Sequence, residues 1–510
     1  MPVNPVWLGA VLALTPGVVR ADPAPTPIPT PVIPFRVPEF PQALLLSGRP
    51  FPQVTPVKAV LAKPDRTLFV AAKKGDGGAS GSGDGSEGSP FHDLQAALRA
   101  LEPGDRLRVG PGDYAGPIRI DETCKEGTRR RTIQVVFDSR AKLAPGGGVG
   151  AAALTVRRAF WHLSGTYVSL DQSASPGIAI EGDAHDVLLD GARVSGGAGP
   201  SVSVGGGTVA VRVANARISK SRLERSNPDA VGIAVLAGAR DTLIANNQLS
   251  ENPGGSVRVQ APSDGGKPAS AVQVVGNSIR DDAATAIDVE AADGVRIAGN
   301  TITDSPTWSG TRGIALGSVR RAIVRENAVT DVAIGIQVGE AGEGGESREA
   351  SGVTVDHNYV VETVSVGTGV RLEAARDTRV VHNVLERVGE AFAIAGRPPR
   401  TQGVTVVNNL AVGVAKVGFA IDDPKSVLAF DYNLFSPASE GVTARLAGRE
   451  MPLAKALEEG KMSHSKVARG VRIQNHDLAR IEGAEVRDQG STLGGFPHRG
   501  SAPDLGIEER

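Results

Sequence analysis

The chain has 510 residues with 55 Lys and Arg against 56 Asp and Glu, so it lacks the basic excess that holds a polyanion non-specifically, and nucleic acid is not an expected partner. Its 64 Gly, 34 Pro and 4% aromatic residues suit many tight turns around a core of Val, Ile, Leu and Ala. The single cysteine, Cys124, excludes an internal disulfide.

The chain opens on an apolar run, Val6 to Leu14, followed by Pro16-Gly17 and then Val19-Arg20-Ala21. This pattern predicts a signal peptide over residues 1–21 and an exported product, extracellular, at the cell surface or periplasmic, although no Lys or Arg precedes the apolar run. No later stretch reaches the roughly 18 apolar residues of a membrane span, so the mature chain is expected to carry no transmembrane segment. Residues 22–60 are rich in proline, which fixes φ and removes amide donors, and read as an extended linker.

Residues 61–104 hold a predicted strand, Thr67 to Ala72, a Gly/Ser loop from Gly75 to Ser89, and a helix. Ser89 as N-cap, Pro90 at the first helical position and the stripe Phe91, Leu94, Leu98, Leu101 define that helix, which Pro103-Gly104 ends. Asp76, Asp84 and Glu87 offer oxygen to calcium in the loop, but their spacing fits no EF-hand.

From residue 105 to 440 one repeat fills the sequence. Asparagines at 247, 277, 300, 327, 358, 383, 409 and 433 recur every 23 to 31 residues, each with an apolar side chain three residues before it and another two after. A weaker form runs upstream through Ser221, Ala192 and Thr166. A period in the twenties with several short alternating segments per unit predicts one turn of a parallel β-helix, with the asparagine amides stacked in a ladder and tolerant of left-handed turn angles. The fold class is therefore all-β: a right-handed parallel β-helix solenoid with an N-terminal capping helix, closed by a C-terminal capping segment over 441–510 that includes a short helix at Met451 to Gly460.

Further stretches carry a resemblance. Gly88-Ser89-Pro90-Phe91 through Leu101-Glu102-Pro103-Gly104-Asp105, then Gly110-Pro111-Gly112-Asp113-Tyr114, the segment Asp431-Tyr432-Asn433-Leu434-Phe435 and the ending Ala502-Pro503-Asp504-Leu505-Gly506-Ile507-Glu508 are similar to those of secreted bacterial right-handed β-helix proteins. The chain over residues 65 to 510 thus resembles the pectate-lyase-like superfamily. That resemblance implies the fold, while activity is left open among lyases, hydrolases, epimerases and proteins of unknown role.

The strand after each turn reads GIAIE at 177, GIAVL at 232, SVRVQ at 256, AIDVE at 286, GIALG at 313, GIQVG at 335, GVRLE at 369 and GFAID at 418. Second and fourth positions should point inward, third and fifth outward. The outward columns are mostly small, interrupted by Arg258, Gln260, Asp288, Glu290, Gln337, Arg371, Glu373 and Asp422, which describes a shallow groove, and the resemblance implies a polysaccharide as its ligand. For a uronate lyase, Arg371 and Arg258 are candidates for charge neutralisation or proton transfer, with Asp288, Glu290 and Glu373 as shaping groups or calcium ligands. A glycoside hydrolase would instead pair Asp288 with Glu290 or Glu373. The competing readings are solvated ion pairs between coils, on a non-catalytic surface or adhesion rod displayed by the linker, or a scaffold that binds other proteins along its flank. The rod is expected to be a monomer. Asp356-His357 resembles part of a pectate-lyase motif, but register explains it, and His357 and His382 read as turn residues. Only three tryptophans and four tyrosines are present for stacking on sugars.

Overall fold

Each coil contributes up to three short strands, and like strands pair in parallel with those of the coils before and after. The computed structural model describes residues 63–72, 83–145, 151–170, 175–219, 230–303 except 264 and 283, 311–341, and 347–473 except 362 and 364–366, with 481–482, 486, 489–490 and 505 beyond. The predicted signal peptide over 1–21, the Pro-rich stretch 22–60, Asp76 and Ser221 lie outside these residues. The result is a right-handed parallel solenoid of about 11 turns.

Three faces form, here called sheets A, B and C. A and B merge through the long strands Thr285–Ala298 and Arg312–Arg325 into one 27-stranded sheet, and C is a separate sheet of 14 strands. On A, Ile233 lies beside Val257, then Ile287, Ile314, Ile336, Val370, Phe392 and Phe419, one residue per coil and all buried. Because alternate side chains face opposite ways, this register places every neighbouring residue of these strands on the outer surface. Strand Arg66–Val70 already pairs in parallel with Asp105–Val109, so the stack of sheet B begins before the helix.

The asparagine ladder runs between sheets B and C. Each amide oxygen accepts from the backbone N and the Nδ2 of the previous coil's asparagine at 2.9–3.1 Å, as in Asn327 to Asn358 and Asn383 to Asn409. The left-handed angle belongs to the residue before each asparagine: Asn246, Glu326, His357, His382, Asn408 and Tyr432 have φ of 53–59°. Upstream, the slot is filled by Ala216 rather than by Ser221. Val213 and Ile218 supply its flanking apolar positions, both buried, and its backbone N donates to Asn247 Oδ1 at 2.8 Å.

The helix α1, Leu94–Arg99, starts later than Ser89 would place it. Asp93 is the N-cap, accepting from the backbone N of Gln95 and Ala96. Leu94, Leu98 and Leu101 are buried as expected, while Phe91 instead bridges to Val70. The helix closes the first edge of sheet A: the Gln95 side-chain amide donates to Arg119 O at 2.7 Å and accepts from Arg119 N at 2.8 Å, as a neighbouring strand would. At the other end, Thr443–Leu446 pairs antiparallel with Arg449–Pro452, and α2, Leu453–Glu459, packs over that hairpin. Beyond α2, Lys466–Val467 pairs with Leu434–Pro437 on sheet C. There Ala468, Val471, Val486 and Leu505 bury the outward-facing Tyr359, Val361, Val384, Leu410, Val412 and Leu434.

On sheet B, His162 is 8% exposed and its Nε2 has no hydrogen-bond partner among the described residues. Burial pushes its pKa below the ordinary 6.5, with Arg106 acting the same way and Asp190 opposing. A depressed imidazole binds its proton more tightly in the unfolded chain, so stability is full above the ordinary value and falls as pH drops below it. Urea unfolding at about pH 7.5 and about pH 5.5 should show this loss, and His162→Leu should shrink the difference between the two. An equal loss in both proteins would discount His162.

Candidate functional site

Sheet A presents its outer side chains in columns. One column reads Ala234, Arg258, Asp288, Ala315, Gln337, Arg371, Ala393 and Ala420, each beside the next. Arg258, Asp288 and Glu290 therefore come together on adjacent coils. Arg371 and Glu373 do not join them: Arg371 is three coils from Asp288, about 14 Å at roughly 4.8 Å per coil. The Arg371 guanidinium is ion-paired with Glu373 of its own strand, whose other oxygen accepts from Ala341 N at 3.3 Å. Asp422 is exposed and accepts from Gly396 N, and Gln260 lies on the rim beside Arg258.

Around Asp288 the structure adds groups that the strand alignment did not single out. Arg312 donates to Thr285 Oγ1 at 3.0 Å in the coil before, and to Gln337 Oε1 and Glu340 Oε1 at 3.2 Å in the coil after. Arg348 reaches the other oxygen of Glu340 at 3.4 Å. Arg258 donates to Gly254 O at 2.8 Å and stands 3.9 Å from Glu290, which accepts from Ala261 N at 3.0 Å. The alignment window opened at Gly313, one residue past Arg312. Arg348 arrives by an antiparallel bridge with Glu340, which no repeat pattern encodes.

Asp288 differs from the other carboxylates here. No hydrogen-bond donor reaches it among the described residues. Burial lifts its pKa above the ordinary carboxylate range and Glu290 adds to this, while Arg312, Arg258 and Arg348 pull the other way. Beside it, the next coil places Ala315 and Gly317, with Gln337 one coil further, and all three are buried. The stem of Arg348 comes within 3.1 Å of where a Gly317 Cβ would stand and so lies over that position.

The same face carries a second hollow toward the N-terminal end, of about 590 Å³, lined by Arg119, Thr155, Arg157, Ala179, Glu181 and Ser203 among others. Arg157 is paired there with Glu181 at 2.6 Å. Asp288 and Glu290 are surrounded by guanidinium groups, Glu373 is tied to Arg371 elsewhere, and among the described residues no three His, Cys, Asp or Glu side chains converge on a metal position. His357 and His382 stand at the sheet B to C corner, rings stacked at 5.2 Å. Asp356 there joins Arg325 at 2.7 Å to His357 Nδ1 at 2.9 Å, away from the Asp288 cluster.

A family model described as a right handed beta helix region matches residues 158–307 and 265–435. Among solved structures, the chain is similar to AlyGC, a PL6 family alginate lyase, at 15% identity and TM-score 0.51, over 81% of this chain and 56% of that one. It is also similar to PfbA, a surface adhesin of Streptococcus pneumoniae, at 13% identity and TM-score 0.50, over 71% and 91%. The pectate lyase Pel9A aligns at 14% identity and TM-score 0.44, over 88% and 97%. No curated protein matches the sequence. Identities this low speak to fold alone. Among the described residues, no helix is long and apolar enough to cross a membrane.

Proposed function

The chain belongs to the right-handed β-helix family, and on that premise we propose that it is an exported protein acting on an acidic polysaccharide laid along sheet A, in the manner of a lyase. One observation carries this reading: a strip of small outward residues is interrupted by three guanidinium groups, Arg258, Arg312 and Arg348, gathered around a raised carboxyl at Asp288. Cations fixed beside small side chains are suited to the carboxylate of a uronate unit.

The test is incubation of the full chain with alginate, pectate and neutral glycans, reading ultraviolet absorbance of unsaturated ends, reducing ends and polymer binding. Arg312→Ala should weaken uronate-polymer binding by roughly 10- to 100-fold, the loss of one charge-assisted contact. Equal affinity for neutral and acidic polymers would sink the proposal. The second reading, a non-catalytic surface adhesin, is favoured by the ion pairs Arg371–Glu373 and Arg312–Glu340, which hold these cations without a ligand. It requires binding with no product of either kind.

A further inference from the structure

Resting on that reading, we infer that the hollow at the N-terminal end of sheet A is a separate carbohydrate site, which holds a short stretch of the same acidic polysaccharide with one uronate carboxylate on Arg119. Its volume of about 590 Å³ falls within the roughly 300–1,000 Å³ of small-ligand sites, room for a few sugar units. Arg119 stands six coils before Asp288, about 29 Å at roughly 4.8 Å per coil. Ala234, on the coil after Ser203, is fully buried, so no continuous open floor joins this hollow to the Asp288 cluster.

The cavity is built from register. Thr155, Ala179 and Ser203 follow one another on successive coils beyond Arg119 and make its floor. Ala179 and Ser203 lie deep, at 5% and 7% exposed, whereas Arg119, Glu122 and Arg157 stand exposed at the rim. One wall is apolar: Gly177 N donates to Pro200 O at 3.2 Å, which sets Pro176 and Pro200 on adjacent coils. The other is the ion pair of Arg157 with Glu181.

Charge selects the occupant. The backbone N and O of Arg119 are both held by the Gln95 amide, but among the described residues its guanidinium makes no hydrogen bond or ion pair. Asp121, two residues on, spends Oδ1 on the backbone N of Thr123 at 3.0 Å and on its hydroxyl at 2.7 Å. Arg119 is therefore the cation left for a ligand carboxylate, in the forked geometry that guanidinium gives. Among the described residues the Thr155 and Ser203 hydroxyls and the Glu122 carboxylate are likewise unspent, and Glu181 gives only Oε1 to Arg157. Such a mixture of donors and acceptors suits the hydroxyls of a sugar. A doubly charged phosphate or sulfate ester fits less well, because Asp121, Glu122 and Glu181 outnumber Arg119 and Arg157 in the lining.

The experiment titrates the full chain calorimetrically with trisaccharides of mannuronate, guluronate and galacturonate and with a neutral glucose trisaccharide, beside Arg119→Ala and Arg312→Ala. The parent should bind two acidic trisaccharides per chain. Arg119→Ala should weaken one of them by roughly 10- to 100-fold, leave the other unchanged, and melt within about 2 °C of the parent because that guanidinium holds nothing else. Arg312→Ala should weaken only the other. Acidic binding that Arg119→Ala leaves intact would overturn the inference, and its loss on Arg312→Ala would leave the proposed function standing. Equal affinity of the Arg119-dependent site for the neutral trisaccharide would overturn it as well. A single acidic trisaccharide lost on Arg119→Ala but not on Arg312→Ala would support this site and remove the cluster around Asp288. No acidic binding in the parent would remove both.

Discussion

Asn358→Ala is expected to lower the unfolding free energy by roughly 3–6 kcal/mol, a loss readable by urea or thermal unfolding. Asn358 is fully buried, and its Oδ1 accepts from the backbone N of Asn327 at 3.1 Å and from its Nδ2 at 2.9 Å. Its own Nδ2 donates to Val324 O at 2.8 Å and to Asn383 Oδ1 at 3.0 Å. Alanine leaves two donors and a carbonyl in the dry corner without partners, each costing about 1–3 kcal/mol. A change at the end of the ladder should matter less. Ser465 Oγ accepts from Asn433 N at 3.1 Å, and Ser465→Ala should cost only about 1 kcal/mol. Equal losses would mean that the amides are not coupled through the stack.

Gly339→Ala should cost about 3–5 kcal/mol and abolish any activity that depends on Arg312. Gly339 has φ of +71°, and a Cβ there would stand 1.7 Å from the backbone O of Glu373 and 2.9 Å from that of Ala374. Left-handed angles alone cost a residue with a side chain about 1–2 kcal/mol. The clash is with backbone of the next coil, so two coils must separate. Gly339 precedes Glu340, the shared anchor of Arg312 and Arg348, so the strain would be delivered to the site. Gly448→Ala is the control, since Gly448 has φ of +78° with nothing within 4 Å and should lose only the conformational part. If the two substitutions melt alike, the close approach between coils is not what Gly339 supplies.

The ladder and the inward columns were legible because one chemical demand repeats at nearly fixed spacing: an apolar residue, a buried amide and another apolar residue per coil. Upstream of Asn247 the amide is absent, so only the apolar pair marks the slot. Ser221 is polar as asparagine is, but Val213 and Ile218 mark Ala216 as the slot. At the first helix, Ser89-Pro90 looks like a start, yet Asp93 has its carboxylate where it can meet two free amides. The site was only half visible. Arg258, Asp288 and Glu290 fell in aligned strands, whereas Arg371 and Glu373 share their pattern but sit three coils away. Arg312 and Arg348 enter from a strand start and a returning loop, where alternation carries no information. The C-terminal segment had a signal that went unread: outward positions on sheet C are polar at Arg193, Gln248 and Thr301, and become apolar at Tyr359, Val384, Leu410 and Leu434.

That change in character bears on how the molecule comes apart. A plain stack couples each turn to its immediate neighbours, so melting can start anywhere and spread stepwise. Described residues beyond α2, Ala468, Val471, Val486 and Leu505, instead share one buried cluster with residues of strands Tyr359–Val361, Val384–Glu386, Leu410–Val414 and Leu434–Pro437, which should make these four successive turns more cooperative. Among the described residues that cluster holds none from turns ahead of Tyr359, so hydrogen exchange should find graded opening there and one shared opening free energy in the block behind it.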